Sequence, residues 1–518
     1  MLADADDFGQ TELAELVHSE LIDQVVFTPR AEYAFRHPLV RTVAYESQLK
    51  TARAQSHRRL AAALQHRQGA ADDIAAIIAG HLEAAGDTRD AFGWHMRAGN
   101  WFTNRDIGAA RTSWQWAKTL ADELPAGDAD RHWMQIVPRA LLCGSTWRAG
   151  GSVADTGFDE LRALCTRPED QIPLAMGMAG YISQLAVNAR VREASGLASE
   201  YVALIDAIDQ PDLTVGMLYP AIHAKFEAGE MADVERLAQR VVDLAQGDRT
   251  KGNFLTGSPL AFATGMVAIA KCALGKQKWK ERFDQAIEFS RVDPTTYVST
   301  VMFKYILGVP YGASLADATA QRESAEALQI AEQCSEEFAL HMAHLTRAIV
   351  LLAADGGDRA LGLHLLENVR TAAVEERFML AKLPAIDVQI AAERRRVGDL
   401  DGAVEISRRV IAGQFESGAA LDLGSATSVL VESLLGRGSS ADLDDARSAV
   451  DTLAAATSPG FVLYELPLLR MRALVASAEG DMEQYRNYAN RHLATAQAAQ
   501  FERPTGTGPG DDALAVPA

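Results

Sequence analysis

Polar and apolar positions along most of this chain recur with the period of an α-helix. Between 231 and 246 the apolar residues Val234, Leu237, Ala238, Val241, Val242 and Ala245 share one face of a 3.6-residue turn. Between 72 and 86, Ile74, Ile77, Ile78, His81, Leu82 and Ala85 do the same, with Asp73 where an N-cap belongs and Gly86 where a helix stops. Beyond residue 70 no β-branched stretch alternates with period two. Turn glycines followed by an acid punctuate the helices at Gly86-Asp87, Gly229-Glu230, Gly357-Asp358, Gly398-Asp399 and Gly480-Asp481. In the last third, Gly357, Gly398, Gly438 and Gly480 recur about 40 residues apart. That spacing suits one helix pair per repeat. Glycine supplies a left-handed cap, the acid caps the next helix, and each pair buries its apolar stripe on its neighbour. The expected fold is all-α: a degenerate tetratricopeptide-like helical-repeat solenoid over 68–500, with a period longer than the ~34 residues of a strict repeat. The alternative is a non-repeating helical bundle with ordinary capped turns.

The two ends depart from this pattern. Leu13–Val26 reads as a helix, Val25–Thr28 and Tyr33–Arg36 as short strands joined through Pro29–Glu32, and 38–49 and 52–67 as helices opening on Pro38 and Thr51. Helix, hairpin, helix is the back half of a winged helix, so 1–67 is expected to be a truncated winged-helix module. The far end, 501–518, is Gly/Pro-rich without core-forming content and is expected to be a disordered tail.

Composition adds limits rather than detail. Of 518 residues 48% are hydrophobic and 23% charged, ordinary for a globular chain. No apolar run nears the ~20 residues of a membrane helix, and the N-terminus is acidic, so a cytoplasmic protein without a membrane partner is expected. Lys and Arg total 50 against 69 Asp and Glu, a net charge of −19 that repels phosphate backbones and anionic lipid. Cys143, Cys165, Cys272 and Cys334 form no CxxC pair and read as buried thiols.

Candidate chemistry is sparse. A phosphate-binding GxxxxGK[ST] loop is absent: Gly275-Lys276-Gln277 lacks the hydroxyl, position 270 is alanine, and the segment reads as a solenoid turn. Gly257-Ser258-Pro259 is no nucleophile elbow. Glu337, His341 and His344 share a helix face at spacings that could present metal ligands, but an amphipathic helix with histidines at a repeat interface explains them better. His18, His57 and His95 look isolated, and Asp444-Asp445 and Glu336-Glu337 look like first-turn acids. No catalytic residue, metal or cofactor is expected. From Arg30 to Arg67 the cations Arg30, Arg36, Arg41, Lys50, Arg53, Arg58, Arg59 and Arg67 outnumber Glu32 and Glu46. The helix standing where a winged helix reads DNA, Leu13–Val26, is acidic, which disfavours nucleic acid and favours protein docking. Aromatic and arginine residues are densest at Trp94, Arg97, Trp101, Phe102, Arg105, Trp114 and Trp116, and these are the expected partner-binding residues. Repeat-to-repeat packing is their alternative role.

The segment FRHPLVRTVAYESQLKTARAQSHRRLAAAL (Phe35 to Leu64), followed by GHLEAAGDTRDAFGWHMRAGNWFTNRDIGAARTSWQWA (Gly80 to Ala117), resembles the region behind the nucleotide-binding module of actinobacterial, especially mycobacterial, STAND-type signalling ATPases. In that family a class III adenylyl cyclase domain can precede the ATPase, and a LuxR-type DNA-binding domain can end the chain. The resemblance is specific over Ala34 to about Leu124 and architectural beyond. It implies a non-catalytic sensor or scaffold arm in nucleotide-linked signal transduction, whose protein partner is a STAND-type ATPase or cyclase. A concave repeat face would hold a protein, a peptide or a small effector. With no P-loop or cyclase segment, and too little chain after Gln500 for a DNA-binding domain, the catalytic part is expected elsewhere. The alternatives are a C-terminal fragment of such an ATPase or cyclase, and a transcriptional regulator. Titration of the chain with Mg-ATP in a calorimeter is therefore expected to give no binding heat. Saturable heat would contradict the loss of the nucleotide site.

Overall fold

Why the N-terminal segment forms a hairpin follows from residues 20–25. The first helix, Gln10–His18, stops well short of Val26 because Glu20 takes a positive φ of 56° and Ile22 and Val25 are β-branched. Ile22–Val26 then pairs antiparallel with Glu32–Phe35, Ile22 opposite Phe35 and Gln24 opposite Tyr33. Arg36 holds the return strand by ion pairs to Glu20 and Asp23. Pro38–Glu46 and Lys50–Gln65 follow as helices. The computed structural model describes residues 10–26, 32–66, 72–103, 105–150, 152–253, 257–334, 336–457 and 460–502; the expected loop at Pro29 and most of the expected tail lie outside them.

The chain divides into two compact units, Met1–Ala149 with Gly157–Gly177, and Gly150–Thr156 with Met178–Ala518. In the first unit Ala75–Ala84, Thr88–Phe102, Ile107–Glu123 and Arg131–Ala149 pack each on the next. Leu64, Ile78, Leu82, Phe92, Leu120 and Met134 form its core. Gly86 turns the chain at φ 79°, as expected, but the helix before it opens at Ile74 rather than Asp73.

The second unit holds seven helix pairs among its described residues. Their inner members are Tyr219–Glu227, Pro259–Ala273, Pro294–Gly308, Glu337–Ala353, Leu383–Arg396, Leu423–Arg437 and Val462–Glu479. The outer members are Met231–Ala245, Trp279–Ser290, Ala318–Gln333, Arg359–Val374, Leu400–Ser417, Ser440–Ala456 and Met482–Ala498. A glycine of positive φ lies between the members of every pair: Gly229, Gly275, Gly312, Gly356, Gly398, Gly438 and Gly480. Asp358, Asp399 and Asp481 cap the outer helices through the amides of Leu361, Gly402 and Gln484. Outer helices bury one stripe; Met231–Ala245 buries Val234, Leu237, Ala238 and Val241. Inner helices are more fully buried, and in Pro259–Ala273 every residue except Lys271 is buried, although Leu383–Arg396 leaves Arg394 and Arg396 exposed. The fold is thus all-α helical repeat, as the periodicity predicts.

A simple solenoid touches only its neighbours. This unit does more. Arg192 donates to the carbonyls of Phe415 and Glu416, and the Ala420 amide donates to the Glu227 carbonyl at 3.1 Å. Tyr311 donates to the Leu421 carbonyl at 2.6 Å, and Tyr464 to that of Ala420. Towards the C-terminus, the Trp279 indole N–H donates to the Ala499 carbonyl at 3.0 Å, and Phe501 packs edge-on against the same ring. Gly275 lies so close to Val462 that a Cβ there would sit 2.7 Å from its methyl. The cavity lined by Ile269, Cys272, Phe303 and Leu463 holds only about 10 Å³. The array has closed on itself, and its inner face is core at this point.

One turn departs from expectation by a single residue. The positive φ falls on Gly356, which has open space, while Gly357 is pressed against the Leu351 carbonyl, 2.1 Å from where a Cβ would lie. Gly356→Ala is expected to cost about 1–2 kcal/mol in urea unfolding, and Gly356→Asn less. Gly357→Ala should cost more than either, because backbone must move. The reverse order would contradict this turn geometry.

Candidate partner-docking site

The dense aromatic–arginine segment sits on two antiparallel helices of the first unit, Thr88–Phe102 and Ile107–Glu123. Trp114 is 1% exposed, its indole lying over Gly99, where a Cβ would meet Nε1 at 2.2 Å. It is a core residue. Trp94 is half-buried beneath the Arg97 guanidinium, 4.7 Å from the ring centre, and Arg97 pairs with Asp72 at 2.5 Å. Arg105 lies 3.7 Å over Trp101 and donates to that residue's carbonyl at 2.8 Å. Trp101 and Phe102 are half-buried at the helix end. Trp116 differs: it is 48% exposed, its ring stacked on His95 with centroids 6.4 Å apart. So the seven residues do not form one patch. They resolve into one core tryptophan, two aromatic–arginine pairs, a half-buried phenylalanine and an open indole.

His95 is buried, and neither ring nitrogen has a hydrogen-bond partner; the Glu83 carboxylate approaches Nε2 at 3.6 Å. Burial pulls its pKa below the ordinary histidine value, with Glu83 opposing. Trp133, half-exposed and edge-on to Phe92 at 5.5 Å, belongs to the same unit and was not among the expected residues. His57 is not isolated. Tyr45 Oη lies 3.0 Å from its Nε2, and its Nδ1 lies 2.9 Å from Nδ1 of His81, so one imidazole donates to the other. Burial lowers the pKa of both rings.

The basic segment is partly consumed internally. Arg36 is paired as above, Arg58 forks onto Asp87 at 2.7 Å, and Arg53 lies over Tyr45. Arg30 and Arg67 lie outside the described residues. Asp87 therefore serves as an ion-pair partner instead of the expected helix cap. The helix Pro38–Glu46 has no buried residue at all, and Leu39 and Leu49 are each 76% exposed, with Val43 close behind at 66%. Single exposed apolar residues are ordinary, but three together on one short helix and its following turn are not.

Other candidate groups are structural. His341 and His344 stand 6.3 Å apart with His341 against Phe378, and Glu337 turns to Arg377. No set of three His, Cys, Asp or Glu side chains converges among the described residues as a metal would require. Asp444 and Asp445 pair with Arg447 and Arg408 and lie beyond the helix start held by Ser439 and Asp442, whereas Glu336, which accepts from Thr295, and Glu337 stand at the N-cap and first turn of Glu337–Ala353, as expected. Gly275 is a pair-linking turn, and Lys276 pairs with Glu235.

A charged cluster that sequence reasoning missed lies inside the second unit. The Lys382 ammonium pairs with the Glu227 carboxylate, both almost fully buried, and His223 Nε2 lies 3.2 Å from the same oxygen. Burial alone would raise Glu227, yet Lys382 and His223 bring its pKa down to about 2. Asp422, beside them, accepts from the Gln414 amide at 3.3 Å. Burial, only partly offset by Lys382, pushes its pKa up to about 7. His223, Glu227 and Lys382 are buried, and the cluster ties three distant segments together.

No protein-family model and no curated protein matches the sequence. Solved structures with a loosely similar helical architecture include the anaphase-promoting complex hetero-tetramer Cut9–Hcn1, at 11% identity and a TM-score of 0.44 over 90% of this chain and 85% of that one. A Rap protein complexed with competence and sporulation factor follows at 12% and 0.31 over 88% and 99%. Yeast Tom70 follows at 11% and 0.30 over 87% and 94%. At these identities the likeness is one of fold alone.

The cluster has a pH signature. Asp422 has a folded pKa above its ordinary 3.8, so its contribution is full below that value and is lost as pH rises through 7. Glu227 has a folded pKa below its ordinary 4.5, so its contribution is present above 4.5 and is lost as pH falls toward 2. Between pH 5 and 8, urea unfolding should show a loss of stability from Asp422 of at most about 1.4 kcal/mol per pH unit. Asp422→Asn should remove that component; an unchanged slope in the variant would contradict it.

Proposed function

We propose that this chain is a non-catalytic regulatory scaffold of nucleotide-linked signal transduction in the cytoplasm, docking on a STAND-type ATPase or a cyclase carried by another polypeptide or another part of its own. The observation that carries this reading is the helix Pro38–Glu46, which buries none of its residues and leaves Leu39, Val43 and Leu49 in solvent. An apolar helix surface of this kind gains by burial against a partner, at roughly 25 cal/mol per Å² of apolar area removed from water. The resemblance of Phe35 to Leu64 to the segment behind a signalling ATPase module supplies the class of partner. In this reading effector or peptide binding belongs to the first unit's repeats, and the openness of Trp116 and Trp133 there supports it. Among the described residues no helix is long and apolar enough to cross a membrane.

Co-purification with a STAND-type ATPase or class III cyclase from the same genome tests this directly. The double variant Leu39→Asp/Val43→Asp is expected to weaken the complex at least about tenfold, since each change places a charge in a buried contact. Val397→Asp, equally exposed in the second unit, should leave the complex intact. If no ATPase or cyclase co-purifies, or the double variant binds like the parent, the reading fails.

A further inference from the structure

The His57 and His81 rings meet end to end between two helices, Lys50–Gln65 and Ala75–Ala84. Their Nδ1 atoms lie 2.9 Å apart and their ring centres 5.1 Å apart, so both nitrogens sit between the rings, each aimed at the other. Such a gap holds one proton, carried by either ring. A chelated metal would need both nitrogens turned to a third point. The far nitrogen of His57, Nε2, lies 3.0 Å from Tyr45 Oη on Pro38–Glu46. Tyr45, His57 and His81 thus form one hydrogen-bonded chain across three helices. We infer that this chain is a proton-operated latch, which holds Pro38–Glu46 on the helices behind it and releases it when both facing nitrogens carry a proton.

The proton count follows from the donors and acceptors. In the neutral chain one Nδ1 donates and the other accepts, and the Tyr45 hydroxyl donates to or accepts from Nε2 to match. A first proton makes His57 a donor at both ends, to His81 and to the tyrosine oxygen, so the chain holds. His81 then already bears its hydrogen on Nε2, and a second proton can enter only at its Nδ1. Two N–H groups and two like charges then face each other across 2.9 Å, and the contact must open. Among the described residues no carboxylate is hydrogen-bonded to or paired with either ring. Beside His57, Arg58 forks onto Asp87, and Arg53 stands over the Tyr45 ring. Beside His81, Glu83 faces His95. Burial lowers the pKa of both rings, with Arg53 adding to the effect on His57 and His57 to that on His81. Both rings therefore take up protons less readily folded than unfolded. The latch is closed above the ordinary histidine value of 6.5 and weakens as pH falls below it.

Pro38–Glu46 depends on the latch because it buries none of its residues. Among the described residues, its side-chain hydrogen bonds and ring contacts to later helices all run through Tyr45. A nine-residue helix without packing is marginal in water, so release frays it and the surface of Leu39 and Val43 with it. That acid then weakens partner docking rests on the proposed function; the latch itself does not.

Hydrogen exchange of the full chain at about pH 7.5 and about pH 5, with the intrinsic rates at each pH divided out, reads the latch. Protection of residues 39–46 should fall at least about tenfold at the lower pH, while Ile107–Glu123 in the same unit keeps its own. In His81→Asn the side-chain amide stands where Nδ1 stood, without a titrating charge, so protection of 39–46 should be the same at both pH values. Tyr45→Phe should leave 39–46 poorly protected at both. Unchanged protection in the parent, an equal loss in Ile107–Glu123, or the parent's acid response in either variant would overturn the latch. Because the measurement uses the chain alone, its failure leaves the partner reading standing, and absence of an ATPase or cyclase partner leaves the latch standing.

Discussion

The buried pair between Glu227 and Lys382 is the contact around which the second unit is organised. Two charges almost fully removed from water are tolerated only when each neutralises the other and the remaining hydrogen-bonding capacity is met. Here the third participant is His223, one turn before Glu227 on the same helix, and the Phe226 ring lies against the ammonium. The pair adds little net stability over an apolar substitute, but removal of one partner strands the other, a cost of about 3–5 kcal/mol. Its service is to register. Lys382 opens the fifth inner helix and Glu227 closes the first, so the pair sets where the late part of the array meets the early part. The Ala420 amide on the Glu227 carbonyl and the Tyr311 and Tyr464 hydroxyls on the same loop complete that junction.

Closure explains the composition of the inner helices. A helix lining an open groove keeps a polar stripe for water or ligand, whereas Pro259–Ala273 has only Lys271 outside the core. The amphipathic signal consequently lives in the outer helices. Around Ile269, Cys272 and Leu463 the inner face has room for about one water and none for a peptide. In the first unit, Leu39, Val43 and Leu49 on the hairpin module and Trp116 on the repeats are exposed.

Much of this was legible locally. Turn glycines, capping acids and helix period are written within a few residues of where they act, and Asp358, Asp399 and Asp481 cap as their positions imply. Local logic failed where a distant side chain competed. Asp87 is taken by Arg58, and Glu230 by Lys225 and Ser195, so neither caps its helix. Within the aromatic segment the period held an unused distinction. Trp114 falls on the stripe of Ala110, Ala117 and Ala121, whereas Trp116 falls off it, which is the difference between core and surface. The junction of Glu227 with Lys382 and Ala420 had no such signal, because residues well over a hundred positions apart leave no mark on each other's neighbours in sequence.

Native-state hydrogen exchange on the intact chain tests the central claim, that the second unit is a closed array with a core in place of a groove. If the array is closed, Pro259–Ala273 and Val462–Glu479 lose protection through one shared opening, with the same free energy and the same denaturant dependence. An open, nearest-neighbour array would fray from its last pair inward. Exchange of Val462–Glu479 and Met482–Ala498 at markedly lower free energy than Pro259–Ala273 would contradict the account and return the inner face to the list of binding surfaces.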